Sequence, residues 1–270
     1  MEPALAIALL SLVFGGMHVG LATRRVRAAL VARLGEWGFL TLFSVLASVS
    51  FAALVHFYAV HRFEGAAGLA LGSTGVARAL LIAAVVAGLM LAIASLVPYP
   101  GSAYAIGSDA AHAARGLDRI TRHPFFVGVA LTAGAHVLLA PHLVGSVFFA
   151  GLAALALGGA WHQDRKLLAR RGPAFAAFLR TTSLLPFTAI VSGRQRLVLR
   201  ELPWTSLVVA LPAILLLRGA HAGIFAHGGA WVIATVVGGA AILMVQTFWV
   251  ARRRAGGGHG RPAGAASPVR

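Results

Sequence analysis

Residues 77–98 read ARALLIAAVVAGLMLAIASLVP, and Arg78 is the only charged side chain among them. A run of roughly 20 mainly apolar residues is what an α-helix needs to cross the hydrocarbon core of a bilayer. Comparable runs recur along the chain, and the sequence predicts about seven spans: residues 3–22, 37–60, 77–98, 122–141, 143–162, 204–218 and 230–250. The predicted fold is therefore an all-α, polytopic transmembrane helix bundle.

The composition supports lipid as the solvent of this chain. Of its 270 residues, 59% are hydrophobic and only 11% are charged, whereas about a quarter of the residues of a soluble domain are charged. The net charge of +16 does not indicate nucleic-acid binding, because the arginines cluster between apolar runs instead of forming one basic surface. The chain has no cysteine, which excludes disulfides, thiolate catalysis and cysteine-ligated iron–sulfur clusters.

The positions of the basic residues predict the orientation of the bundle. Lys and Arg are in excess in the cytoplasmic loops of membrane proteins. Nearly all of the 23 Lys and Arg fall in four segments: residues 23–36, 99–121, 163–203 and 251–270. We therefore expect a multi-pass protein of a bacterial inner (cytoplasmic) membrane, with its N-terminus outside and its C-terminus inside.

Two histidines lie inside predicted spans among small residues. His18 stands in GGMHVG (residues 15–20), and His136 ends AGAH (residues 133–136). Ionisable groups are costly in lipid, so each is a functional candidate, although either ring could instead bond to a helix carbonyl. Small neighbours leave room for a flat ring. Two histidines on different helices of a cysteine-free bundle indicate non-covalently bound haem b.

A second group of candidates lies where the fourth predicted span begins. Arg122 and His123 precede Pro124, and proline suits the first turn of a helix. The start of a helix attracts anions, so a phosphate, a carboxylate or a haem propionate could bind to Arg122 and His123. The alternative is that Arg122 anchors the helix at the membrane interface.

The end of the fifth predicted span brings further polar residues to the same side. His162 and Asp164 stand there, and Asp164 is expected to pair with Arg122 or Arg165. A solvated helix end explains the same residues without a site. Residues 163–180 combine basic and apolar positions at helical spacing, which predicts an amphipathic helix at the membrane surface.

Short segments spread in order over residues 10–200 carry a family resemblance. They are GMHVGLA (16–22), VHRFEG (60–65), RITRHP (119–124), AHVL (135–138), DRK (164–166), RTTSLLPFTAI (180–190) and GRQ (193–195). Together they resemble the NnrU family of membrane proteins, which includes the plant and algal 15-cis-zeta-carotene isomerase. On this resemblance we expect an NnrU-like membrane domain over residues 1–200, additional transmembrane helices over 201–250 and a disordered basic tail over 251–270.

The resemblance implies a haem b protein and assigns roles to individual histidines. His18 and His136 would be the two iron ligands, with His61 and His123 in a supporting set. The implied activity is cis–trans isomerisation of a polyene such as zeta-carotene, a lipophilic substrate that would reach the site from membrane lipid. The catalytic residues and the oligomeric state do not follow from the sequence.

Helix geometry raises an objection to this ligand pair. With a rise of ~1.5 Å per residue, His18 and His136 would differ in depth by roughly 15 Å if the predicted span ends are right. A single iron cannot take both at that separation. In that case His123 or His162 would replace His136 as the partner of His18.

Two other functions remain open from the sequence. A His-Pro helix start followed by an acidic residue before a basic run is similar to membrane methyltransferases that use S-adenosylmethionine, although the paired glutamates typical of those enzymes are missing here. The bacterial NnrU proteins are associated with nitrite and nitric oxide reduction, which favours a non-enzymatic membrane factor linked to denitrification.

Overall fold

The computed structural model describes residues 2–96 and 113–257. Ten α-helices form in these ranges: α1 (Pro3–Leu21), α2 (Arg24–His61), α3 (Gly75–Leu96), α4 (Leu117–Ile120), α5 (Pro124–Leu139), α6 (Leu143–Arg171), α7 (Pro173–Thr181), α8 (Thr188–Val191), α9 (Trp204–Gly219) and α10 (Ala226–Gly257). Short 3₁₀ turns occur at Leu71–Ser73, Leu199–Glu201 and His221–Gly223.

The structure confirms an all-α transmembrane bundle. Helices α1, α2, α3, α6 and α10 are long and apolar enough to cross a membrane, whereas α5 and α9 are apolar but shorter. All seven predicted spans coincide with one of these helices, and the number that crosses the bilayer and their orientation stay predictions. Residues 258–270, most of the segment predicted as a basic tail, lie outside the described ranges.

Three helices are longer than the predicted spans, and one of them is α10, which runs from Ala226 to Gly257 instead of over residues 230–250. Helix α2 begins at Arg24 instead of residue 37, because the basic segment after α1 is itself helical and joins the span through a kink at Gly35, where φ is 71°. Helix α6 continues to Arg171, beyond residue 162. The amphipathic helix predicted for residues 163–180 is therefore divided between the end of α6 and α7, which meet at Gly172 with φ 55°.

Helix α5 is held against α3 by glycine. A Cβ atom on Gly128 would lie 2.5 Å from the carbonyl oxygen of Gly88, and a Cβ atom on Gly88 would lie 2.7 Å from the carbonyl oxygen of Gly128. Two glycines facing each other let the helix backbones approach directly, as in membrane helix pairs with small residues at the crossing. This contact fixes the position of α5 in the bundle.

Helix α6 packs on the other side against α1 and α2. The buried core there comprises Ile7, Phe14, Leu54, Val55, Tyr58, Val144 and Phe148. Helices α1 and α6 run parallel: Ser11 lies against Gly151, and Gly15 lies four residues further on against Leu155. In this register, each residue of α1 lies at the same depth in the bundle as the residue of α6 that faces it.

Candidate functional site

The residues singled out by the sequence lie in separate places on α1, α2, α5 and α6. Helix α5 carries His123 as its N-cap and His136 near its last turn. The two ends of α5 therefore hold two different constellations, which we call the His123 end and the His136 end.

At the His123 end, three side chains form a compact ion-paired group. The Nε2 atom of His123 is 2.7 Å from Oδ1 of Asp164, and the Nε atom of Arg122 donates to Oδ2 of the same carboxylate at 2.8 Å. All three side chains are largely buried, and His123 is only 6% exposed. Of the two partners expected for Asp164, Arg122 is the one that contacts it, while the guanidinium of Arg165 stacks over the ring of Trp161 at 4.7 Å.

The segment after α7 closes over this group through backbone contacts. The amide of Arg122 donates to the carbonyl of Ser183 at 2.9 Å, and the amide of Phe187 donates to the carbonyl of Ile120 at 2.9 Å. The hydroxyl of Thr121 donates to the carbonyl of Leu184 at 2.7 Å. The RITRHP and RTTSLLPFTAI segments, about 60 residues apart in sequence, are thus joined by hydrogen bonds that hold the start of α5 in place.

A second ion pair ties α4 to the turn before α9. The guanidinium of Arg119 donates to both carboxylate oxygens of Glu201 at 2.8 and 3.0 Å, and the amide of Gly116 donates to Glu201 at 3.0 Å. These hydrogen bonds hold the pKa of Glu201 at about 2, below its ordinary value of 4.5. A third residue, Gln195, accepts a hydrogen bond from Arg119 at 2.8 Å.

At the His136 end, a cavity of about 370 Å³ opens between α2, α5, α6 and the turn before α10. Its walls combine four polar side chains with aromatic and apolar ones: Tyr58, Arg62, Phe63, His136, Leu139, Ala140, Pro141, His142, Gly145, Phe149, His221, Ala222 and Phe225. The ring centroids of His136 and His221 are 6.2 Å apart, with 20° between the ring planes.

The imidazoles of His136 and His142 in this cavity differ in the hydrogen bonding of their Nδ1 atoms. Nδ1 of His136 lies 2.8 Å from the carbonyl oxygen of Thr132, so it carries the proton and Nε2 keeps a lone pair. Nδ1 of His142 is buried without a hydrogen-bond partner. A neutral histidine whose other nitrogen is bonded to a backbone carbonyl is the usual state of a metal ligand.

His18 lies in neither constellation. Its ring packs between Phe14 and Phe43, with centroid separations of 5.5 and 5.2 Å, and its Nδ1 is buried without a partner. By the register of α1 on α6, His18 is level with about residue 158, whereas the ring of His136 is 4.7 Å from that of Phe149. About nine residues of helix separate these levels, or roughly 14 Å.

The structure therefore does not bring His18 and His136 together on one iron, whose two ligand nitrogens would lie about 4 Å apart at metal–nitrogen bonds of ~2.0 Å. His123 is engaged with Asp164. His162 lines a different cavity, next to the α1–α2 turn. Within residues 2–96 and 113–257, no cluster of three or more His, Asp or Glu side chains could hold a metal ion.

The remaining predicted histidine forms a local pair. Nδ1 of His61 is 2.8 Å from Oε2 of Glu64, and its ring packs on Phe57 at 4.3 Å. Sequence reasoning missed His221, because it stands in a turn between α9 and α10, and only the return of that turn over the end of α5 brings it to His136. No periodicity in the sequence could have indicated that contact.

Comparison with known proteins gives a consistent result. A family model described as NnrU protein matches residues 6–251, from α1 into α10. The chain is similar to 15-cis-zeta-carotene isomerase, chloroplastic, of Zea mays, with 31% identity over 196 residues, or 70% of this chain and 51% of the relative. It is also similar to the protein of the same description from Arabidopsis thaliana, with 32% identity over 201 residues, or 72% of this chain and 52% of the relative.

The chain thus spans about half the length of the curated relatives it matches. No solved structure matches it significantly.

Proposed function

Because the chain belongs to the NnrU family, we propose that it is a membrane-embedded cis–trans isomerase of a lipophilic polyene of the zeta-carotene type. The observation that carries this proposal is the similarity to two 15-cis-zeta-carotene isomerases over about 200 residues. Those residues make up most of the helices described above. A carotene is soluble only in lipid, which suits a bundle whose helices are apolar enough to cross a membrane.

The His136 end is the proposed reaction site. Its volume of about 370 Å³ lies at the lower end of the range of roughly 300–1,000 Å³ for small-molecule sites. It would hold one segment of a long polyene, with the rest of the chain in lipid. Phe149 and Phe225 offer flat apolar surfaces to conjugated double bonds, and the ring of His136 lies 4.7 Å from that of Phe149.

We further propose that haem b binds at this end with His136 as a ligand. The bond between His136 and the carbonyl of Thr132 supports this assignment, because it leaves Nε2 unprotonated. The nearly parallel ring of His221 offers a second imidazole at a centroid separation of 6.2 Å. When bound, the haem would supply Lewis-acid or one-electron chemistry at the double bond, while the surrounding aromatic side chains exclude water and orient the polyene.

An optical spectrum tests the haem assignment. Protein expressed with excess haem should show a Soret band that shifts on reduction with dithionite, and His136→Ala should lose it. His221→Ala should retain haem with an altered spectrum. The matched control is His56→Ala, a histidine of α2 that does not line this cavity. Absence of a Soret band from the wild-type protein would refute haem binding.

An isomerisation assay tests the activity separately. The full chain in lipid nanodiscs is incubated with 15-cis-zeta-carotene under reducing conditions, and chromatography resolves the isomers. We expect loss of the 15-cis isomer with the wild type and with His56→Ala, and none with His136→Ala. A haem-loaded wild type that leaves the isomer ratio unchanged would overturn the proposed activity without affecting the haem assignment.

A further inference from the structure

Another cavity is lined by no residue of α5. It has a volume of about 930 Å³ and opens between the α1–α2 turn and the last turns of α6. Six cationic side chains line it, three from the start of α2 and three from the end of α6: Arg24, Arg25, Arg27, Arg165, Lys166 and Arg170. We call it the basic cavity.

Few carboxylates neutralise these cations within the part of the chain that the structure describes. Glu36 pairs with Arg27 outside the cavity. Asp164, the acidic residue on the same stretch of α6, is committed to Arg122 and His123. Arg165 is stacked on the ring of Trp161. Arg24, Arg25, Lys166 and Arg170 have no ion-pair partner among the described carboxylates.

The start of α2 adds to the positive potential. Thr23, its N-cap residue, makes no side-chain bond to the helix, because its hydroxyl donates to the carbonyl of Gly20 at 2.7 Å. The first N–H groups of a helix have no intrahelical partner, and they carry the positive end of the helix dipole. In this chain they lie at the basic cavity, between Thr23 and Arg27.

We propose that the basic cavity binds a phosphate-bearing anion. Arginine forks and lysine ammonium groups match phosphate oxygens with charge-assisted hydrogen bonds, and an uncapped helix start is a common phosphate site. Two opposed basic walls around about 930 Å³ leave room for more than one phosphate group or for a phosphate with its glycerol. The anionic headgroup of a phospholipid and a soluble pyrophosphate both present this chemistry.

The proposal is tested on the full chain purified in a neutral detergent. Native mass spectrometry counts bound ligand during titration with dioleoylphosphatidylglycerol, with dioleoylphosphatidylcholine and, separately, with inorganic pyrophosphate. The test variant is Arg24→Gln/Lys166→Gln/Arg170→Gln. The control, Arg180→Gln/Arg196→Gln/Arg200→Gln, removes the same charge from exposed positions that do not line the basic cavity.

We expect phosphatidylglycerol or pyrophosphate to bind the wild type and the control, and the test variant to bind roughly tenfold more weakly or worse. Binding of phosphatidylglycerol alone identifies a lipid headgroup, and binding of pyrophosphate identifies a soluble phosphate. Binding of neither ligand, or equal weakening in both variants, would overturn the proposal. So would loss of a Soret band in the test variant alone, since the basic cavity would then hold haem propionates.

Discussion

The two ends of α5 use histidine in opposite ways. At the His123 end the imidazole shares the Asp164 carboxylate with Arg122, and the 182–187 segment covers the group with backbone hydrogen bonds. At the His136 end the imidazoles face a cavity, and Nδ1 of His142 is buried without a partner. Satisfied polar groups stabilise a structure, whereas unsatisfied ones call for another explanation, such as a ligand. The comparison therefore contrasts an end whose polar groups are satisfied with the end that we propose as the reaction site.

The largest expected effect is at the His123 end. Asp164→Asn removes the carboxylate that pairs with the buried guanidinium of Arg122 and contacts the ring of His123, and breaking a buried ion pair typically costs about 3–5 kcal/mol. Unfolding of the purified protein in mixed micelles with dodecyl sulfate measures this loss. The double variant Arg122→Gln/Asp164→Asn should lose less than the sum of the two single variants. Strict additivity would mean that the two side chains do not stabilise each other.

The next effect tests the helix that joins the two ends. Gly128→Ala places a Cβ atom 2.5 Å from the carbonyl oxygen of Gly88, and forcing an extra methyl group into a packed contact costs about 1–3 kcal/mol. Gly134→Ala on the same helix meets no atom within 4 Å and should be neutral or stabilising, because alanine favours a helix. Equal unfolding free energies of the two variants would contradict the proposed role of the Gly88–Gly128 contact.

A smaller effect depends on pH. The pKa of Glu201 is lowered from 4.5 to about 2, so its contribution to stability is complete above pH 4.5 and is lost as the pH falls from 4.5 towards 2. Glu201→Gln should cost about 1 kcal/mol at pH 7 and should remove this acid-dependent step. Arg119→Gln should weaken the same step. An unchanged acid profile of Glu201→Gln would show that Arg119 and Gly116 do not hold the carboxylate in solution.

The smallest effect on stability is expected at the His136 end. His221 is exposed, and His221→Gln should change the free energy of unfolding by less than about 0.5 kcal/mol while altering the haem spectrum proposed above. A loss comparable to that of Asp164→Asn would instead make the His136 end structural, and the contrast between the two ends would disappear.

The sequence predicted the helices well because the thickness of a bilayer sets the length of an apolar run. It misjudged where α2 begins and where α6 ends, since basic residues next to a span can belong either to a loop or to a helix that continues beyond the lipid. The pairing of Arg122 with Asp164 was one of two alternatives that the sequence offered, because the start of the fourth predicted span and the end of the fifth lie on the same side of the membrane.

The contacts of His136 could not be predicted in this way. His221 and the α2 residues that line the cavity are remote from His136 in sequence. No local sequence pattern predicts how the turn between α9 and α10 folds back towards α5. The mismatch in depth between His18 and His136 was visible from helix rise alone, and the register of α1 on α6 gives nearly the same separation.

The Gly88–Gly128 contact has a mechanical consequence. Helix α5 is short, carries His123 before its first residue and His136 one turn from its last, and its backbone touches that of α3 with no side chain between them. Any tilt of this helix would therefore pivot about the crossing point, where the two backbones meet. A shift of the 182–187 segment at the His123 end would then displace the imidazole of His136, about 20 Å away along the helix axis.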